Sequence, residues 1–190
     1  TRGESAAEFV ARATPRELME VIRDYGEERF AQSIARAIAA ARARAPILRT
    51  RQLRDLVGEA VGARTRGDWG QDPATRTFQA LRIFVNAELS EVSLALPRIV
   101  PLLRAGARLA VISFHSLEDR IVKNVFRDRS AGCSCPPSFP VCVCSRRRVL
   151  ALVARKAVRP SPEEVLQNRR ARSARMRVAE RIVPGPPRSG

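Results

Sequence analysis

Apolar residues recur with helical spacing through the first hundred residues of the chain. The clearest repeat follows Thr14, and its inner face is formed by Leu18, Val21, Ile22 and Tyr25. Thr14 and Glu17 have the spacing of a capping box, in which each side chain accepts a hydrogen bond from the other's backbone N–H, so they predict where this helix begins. Gly26 is expected to end it, because glycine adopts the left-handed backbone of a C-cap without strain. A second capping box, Ser5 with Glu8, predicts a shorter helix before it.

Three more helices are predicted before residue 100. The first covers about 27–43, and its inner stripe consists of Phe30, Ile34, Ile38 and Ala41. The second begins at Thr50 and buries Leu53, Leu56, Val57 and Val61. The third is longer and begins near Asp72. It carries apolar residues as far as Val92 and is expected to break or restart at Pro97 and Pro101, because proline lacks the N–H that a helix needs.

The pattern changes after residue 106 to short apolar runs, which predict strands at 107–114, 149–156 and 174–183. The first run is expected to be a buried strand, and a helix follows it, with Ser116 and Asp119 as its capping box. In the last run Arg175 and Arg177 share one face, and they are either phosphate contacts or the wet face of an edge strand. The chain thus divides into an all-helical domain at 1–90, an α/β domain at 91–183 and a disordered tail at 184–190.

Charge changes this picture by indicating a partner. The net charge is +16, and the basic residues are uneven: residues 145–190 hold 13 basic and three acidic side chains, whereas residues 1–60 hold 11 and nine. Such a field favours polyanions, above all nucleic acid, although an arginine-rich coding bias is the simpler alternative. The sequence shows neither an apolar run long enough to cross a bilayer nor a signal-peptide pattern, so we expect a cytoplasmic protein without membrane contacts.

Polar side chains are concentrated where the strand at 107–114 gives way to a helix. Ser113 and His115, the only histidine of the chain, lie at this junction. Ligands of open α/β sheets bind beyond the carboxyl ends of the strands, so this turn is the first candidate for a site. The alternative for Ser116 and Asp119 is structural: they cap the helix, or Asp119 or Glu118 pairs with Arg120 or Lys123.

Three further groups are candidates for binding. Arg82 and Asn86 form a polar stripe on the long helix, which contacts RNA, braces the two domains or is simply solvated. Arg146, Arg147 and Arg148 follow a proline-rich loop and are expected to contact phosphate. That loop also contains four cysteines: Cys133, Cys135, Cys142 and Cys144. Their C-x-C spacing strains a single tetrahedral zinc site, so a stiff loop lying against RNA is the favoured interpretation.

Four long motifs in this order resemble the RsmH (MraW) family. They are "YGEERFAQSIARAI" (25–38), "TFQALRIFVNAEL" (77–89), "ARLAVISFHSLEDRIVK" (107–123) and "NRRARSARMRVAER" (168–181). The resemblance implies methylation of the exocyclic N4 of a cytosine in 16S ribosomal RNA of the small (30S) subunit, with S-adenosylmethionine as cofactor. It also implies an α/β fold, in which the C-terminal half of a Rossmann-like methyltransferase domain is preceded by an all-helical insertion domain that binds substrate.

The family's glycine-rich cofactor loop has no counterpart in this sequence, so no cofactor-binding or metal-binding residue is assigned and the chain alone is expected to be inactive. The resemblance implies catalytic roles for His115 and Asp119, either of which accepts the N4 proton or orients the base. The residues expected to bind substrate are Arg82, Asn86, Ser113, Arg120, Lys123, Arg146, Arg147 and Arg148. The alternative function is a non-catalytic basic module that binds RNA or the ribosome.

Overall fold

The computed structural model describes residues 3–62, 72–132, 135, 144 and 147–183. The chain divides into two compact units, Thr1–Glu88 and Leu89–Gly190. Within the described residues the first unit is built from helices, and the second combines helices with a three-stranded sheet. The fold is therefore mixed helix and sheet, and the strands that the structure describes all belong to the second unit.

The first unit packs its helices around one apolar core. Its helices are α1 (Ala6–Arg12), α2 (Pro15–Gly26), α3 (Ala31–Arg42), α4 (Thr50–Val61) and α5 (Thr75–Val85). Both predicted capping boxes form, at Ser5 and at Thr14. The largest fully buried side chains of this unit are Phe9, Leu18, Ile22, Ile34, Ile38, Val57, Val61 and Ile83. The helical periodicity therefore identified most of this core.

The end of α2 differs from the prediction. Glu27, not Gly26, takes the left-handed conformation, with φ 49°. Gly26 is the last helical residue and is buried, and a Cβ added there would lie 2.7 Å from the backbone oxygen of Arg76 in α5. Glycine is needed at this position because two helix backbones approach each other closely, which local sequence does not reveal.

The predicted long helix is two helices, α5 and α6 (Glu88–Ile99). Ala87 breaks it with a left-handed backbone of φ 51°. The carboxylate of Glu88 fixes this turn, because it accepts two hydrogen bonds from Arg82 (2.9 and 3.1 Å) and one from Asn86 (3.1 Å). Pro97 does not break α6, which continues to Ile99.

The sheet of the second unit has the strand order β1-β3-β2. Its elements after α6 are β1 (Arg108–Ser113), α7 (Ser116–Ser130), β2 (Leu150–Leu152), α8 (Pro162–Gln167) and β3 (Arg175–Arg181). Both strand pairs are antiparallel, so β1 and β2 run in the same direction with β3 between them. β3 is therefore not an edge strand, which corrects the wet-face interpretation of its arginines. The predicted strand at 149–156 shortens to β2 and an isolated bridge at Val158.

Helix α7 packs against one face of this sheet, where Val122, Phe126 and Leu150 are fully buried. On the other face Ile112 and Phe114 are 56% and 54% exposed. The prediction that 107–114 is buried is therefore wrong for alternate residues. The physical reason is that successive strand residues point to opposite faces, and α7 covers only one of them.

Some predictions lie outside the described residues: the tail 184–190, Arg146, Cys133 and Cys142. Across the part of the chain that the structure does describe, every helix is too short or too polar to span a bilayer.

Candidate functional site

The turn between β1 and α7 is organised by an imidazole. His115 is the N-cap of α7, with extended backbone (φ −138°, ψ 165°), and its Nδ1 accepts a hydrogen bond from the Glu118 backbone N–H at 3.3 Å. Glu118 reaches back, and its Oε2 accepts a hydrogen bond from the Phe114 N–H at 3.0 Å. The predicted box of Ser116 with Asp119 is thus wrong by one residue, because the ring nitrogen supplies the acceptor expected from the hydroxyl.

This cap determines which nitrogen of the imidazole ring is the acceptor. Because Nδ1 accepts a hydrogen bond, a neutral His115 carries its proton on Nε2. Nε2 is buried and has no hydrogen-bond partner among the described residues, although it lies 3.3 Å from Oε1 of Glu118. The imidazole beside it is the main cause that lowers the pKa of Glu118, and the Phe114 N–H adds to the effect. The turn therefore pairs an ionised carboxylate with a buried, incompletely satisfied donor.

Asp119 faces the sheet instead of the helix end. Its Oδ1 accepts a hydrogen bond from Arg177 Nε at 2.6 Å, and its Oδ2 accepts from Arg177 Nη2 at 3.0 Å and from Arg175 Nη1 at 3.2 Å. The carboxylate is only 7% exposed, and the Arg177 guanidinium is the main cause that lowers its pKa. A carboxylate held by two guanidinium groups is a weak proton acceptor, so in this arrangement Asp119 ties α7 to β3.

The other predicted site residues of the second unit are dispersed. Ser113 is buried at the end of β1, opposite Arg175 in the register of the sheet. Arg120 and Lys123 are exposed on α7. Arg148, although exposed, donates from Nε to the backbone oxygen of Leu150 at 3.1 Å.

Two more predicted residues meet in the first unit. Arg82 and Asn86 both donate to Glu88, as described above, and Arg82 keeps 57% of its side chain exposed. Arg82 and Asn86 therefore stabilise the α5–α6 turn through Glu88. A guanidinium group that already donates to a carboxylate has fewer N–H groups left for a phosphate.

The motifs at this turn lie within a longer match to known proteins. Residues 1–182 match the family described as the MraW methylase family. The chain belongs to this family. The resemblance predicted from the four sequence motifs is thereby confirmed, and the family is one of methyltransferases.

Relatives of this chain carry names that specify a substrate. Proteins named "Ribosomal RNA small subunit methyltransferase H" from Dechloromonas aromatica and Thermomicrobium roseum are each 52% identical to it, over 182 and 183 residues. One from Caldicellulosiruptor saccharolyticus is 46% identical over 178 residues. These alignments cover 94–96% of this chain but 55–58% of the relatives' lengths. The chain thus spans little more than half of the curated relatives that it matches.

The methyl donor that the resemblance implies, S-adenosylmethionine, fits neither the β1–α7 turn nor the apolar groove of the first unit. The β1–α7 turn contains no glycine, and the side chains of His115 and Glu118 already occupy its helix start. A groove of about 350 Å³ in the first unit is mostly apolar, with Arg49 and Arg82 on its lining and no acidic residue to bind a ribose diol or face a sulfonium. Neither place offers the donor set that this cationic cofactor needs.

Sequence reasoning missed the partners that define the β1–α7 turn. The sequence predicts Glu118 only as a partner of basic side chains on its own helix. It predicts Arg175 and Arg177 only as phosphate contacts or as the solvated face of an edge strand. One available signal was the alternation of the two arginines along β3, which places both on the same side of the sheet. Which side that would be depends on where α7 packs, and the strand pattern does not contain that information.

Proposed function

We propose that this protein transfers a methyl group from S-adenosylmethionine to the exocyclic N4 of a cytosine in small-subunit ribosomal RNA. Membership of the methylase family supports the reaction type, and the names of its relatives support the RNA substrate. Its partner is the ribosomal RNA or the 30S subunit, and its compartment is the bacterial cytoplasm, where ribosomes are assembled.

The architecture in this proposal is the C-terminal half of a Rossmann-like domain preceded by a helical insertion domain. The order β1–α7–β2 supports it, because two strands of the same direction joined through a helix are the repeating unit of such sheets. The exposed Ile112 and Phe114 on the face opposite α7 also support it, because doubly wound sheets carry helices on both faces. We assign residues 1–90 to the insertion domain and 91–183 to the sheet domain.

One observation carries the proposal to a residue: His115 caps α7 at the carboxyl end of β1, and its buried Nε2 makes no well-aligned hydrogen bond, only a 3.3 Å contact with Oε1 of Glu118. Buried donors without partners are rare, because each forfeits its hydration. A substrate acceptor bound at this turn would satisfy the Nε2–H. The N3 and O2 atoms of cytosine are acceptors of the right kind.

Cytosine N4 is a weak nucleophile because its lone pair is delocalised into the ring. The site must therefore hold the amino group in line, and one N–H proton must leave as the N–C bond forms. Since Nδ1 of His115 is engaged by the helix, we assign the ring to orientation of the base through Nε2–H. Asp119 becomes the residue that holds α7, and through it His115, against β3.

The test is His115→Asn in a protein of the relatives' full length. Asparagine is among the best N-cap residues, so the helix start is retained while the Nε2–H is lost. We expect the single-turnover rate of N4-methylcytidine formation, measured by mass spectrometry, to fall about 100-fold, the scale of a misplaced reacting group. Ser116→Ala, one residue along, is the matched control and should keep the parental rate.

The thermal midpoint of His115→Asn should stay close to that of the parent. A parental methylation rate in this variant would show that His115 acts only as a cap. A large drop in thermal midpoint would show that its role is in folding.

For the chain taken alone, binding without catalysis is the alternative function. The poor fit of the described residues to the cofactor favours it. We expect this chain to bind ribosomal RNA but to show no methyl transfer when S-adenosylmethionine is added.

A further inference from the structure

One group of basic residues in the second unit is engaged within the fold. Arg175 and Arg177 bind Asp119, Arg108 pairs with Glu180 at 3.2 Å, and Arg181 donates to the backbone oxygens of Val149 and Ile182 at 3.0 and 3.1 Å. Arginines bonded to a carboxylate or to carbonyl oxygens have fewer donors for a phosphate. The arginine-rich strand that the sequence marked is thus largely committed to the sheet.

Another group of basic residues lies along the outer face of α7. Arg120, Lys123 and Arg127 are all exposed and follow one another at intervals of three and four residues, so they form one stripe. Asn124 lies within the stripe and accepts a hydrogen bond from Arg127 Nη2 at 3.1 Å. The opposite face is apolar, and its Val122 is fully buried.

Helix α7 has acidic residues as well, but the fold turns two of the three away from this stripe. Asp119 is buried against β3, and Glu118 bends back to the start of the helix. The third, Asp128, lies near the C-terminal end, beyond Arg127. The sequence of α7 is nearly balanced in charge, whereas its exposed face is predominantly basic.

We propose that the α7 stripe, defined as Arg120, Lys123, Asn124 and Arg127, binds the phosphate backbone of the substrate RNA next to the His115 turn. This inference rests on the proposed function. At 1.5 Å of rise per residue the stripe is roughly 10 Å long, which suits two or three consecutive phosphates of a single strand. It starts five residues after His115, which is about one and a half helical turns, so an RNA strand held there delivers a base to the end of β1.

The chain contains a closely matched control. Arg155, Lys156 and Arg159 are also two arginines and one lysine, are exposed, and belong to the same unit, on the segment after β2. We compare Arg120→Ala/Lys123→Ala/Arg127→Ala with Arg155→Ala/Lys156→Ala/Arg159→Ala, so that both variants lose the same charge. The probe is a 20-nucleotide single-stranded RNA, which is longer than the roughly 4–16 nucleotides that a single basic groove covers. Its affinity is measured by fluorescence anisotropy from low to high salt.

Each phosphate contact on a single strand contributes about 0.7 to the slope of log K against log salt. The stripe variant should therefore lose about 2 from the slope, and should bind roughly 10- to 50-fold more weakly near physiological salt. The control variant should keep the parental slope. A charge-preserving variant, Arg120→Lys/Arg127→Lys, should also keep it, and circular dichroism checks that α7 stays folded.

The outcomes separate this inference from the function beneath it. If the parent chain does not bind RNA, both the proposed RNA substrate and the proposed role of the α7 stripe are refuted. If the parent binds RNA and the stripe variant keeps the parental salt slope, only the role of the stripe is refuted. Equal losses in the stripe and control variants also overturn it, because the effect would then come from net charge alone.

Discussion

The contact between Asp119 and the arginines of β3 makes a strong prediction about stability. Asp119→Asn removes the charge from a side chain that is 7% exposed and leaves Arg177, itself 16% exposed, without its counterion. Removing one partner of a buried ion pair costs about 3–5 kcal/mol. Because Arg175 is 36% exposed and water can compensate it, we expect a smaller loss in the free energy of unfolding, about 2–3 kcal/mol.

The second unit of roughly one hundred residues should then melt about 8–24 °C lower, since about 1 kcal/mol shifts a domain of that size by roughly 4–8 °C. The single tyrosine of the chain, Tyr25, belongs to the first unit, so its fluorescence does not report this event. Calorimetry, together with hydrogen exchange of peptides from β1, α7 and β3, does follow it.

The control is Glu180→Gln, which breaks the ion pair between Glu180 in β3 and Arg108 in β1. That pair is solvent-exposed, with side chains 66% and 36% accessible, so its loss should cost well under about 1 kcal/mol. Equal melting temperatures for Asp119→Asn and Glu180→Gln would refute the idea that the Asp119 contacts hold α7 against the sheet.

The same pair predicts a dependence on pH. Arg177 lowers the pKa of Asp119 below its ordinary value of 3.8, so the folded state binds this proton more weakly than the unfolded state does. The stabilisation is therefore complete above that ordinary value and is lost as pH falls through the lower, folded pKa. The difference in unfolding free energy between the parent and Asp119→Asn should shrink below about pH 4, whereas a difference independent of pH would contradict the ionic origin.

Two further predictions concern the first unit and are read by urea unfolding. Thr14→Ala removes the capping bond to Glu17 and should cost about 1 kcal/mol, whereas Thr14→Ser should be near neutral; equal losses would show that the hydroxyl does not cap the helix. Gly26→Ala places a methyl group against the backbone oxygen of Arg76 and should cost about 1–3 kcal/mol. Gly58→Ala, in a helix with open space around it, should instead stabilise by about 0.5–1 kcal/mol, and matching effects at the two glycines would contradict the close approach of α2 and α5.

Local pattern was enough to identify most of the elements and the family. The capping boxes at Ser5 and Thr14, the helix that begins at Thr50 and the strand at 107–114 all depend on residues within one or two turns of each other. Such information is contiguous in the chain, so it can be read without knowing what packs where. The same holds for the four motifs that carried the resemblance, because a motif is itself a local pattern.

What only the tertiary structure decided is which partner each polar group finds. Position 26 requires glycine because α5 lies against it. Asp119 ties α7 to β3 because β3, more than 50 residues later, places two guanidinium groups beside it. A carboxylate can cap a helix, accept a proton or bind an arginine, and the choice depends on which donors come within about 3 Å. Those donors are brought together by packing between distant segments, so the spacing of residues along the chain fixed the elements of this protein but not the chemistry of its turn.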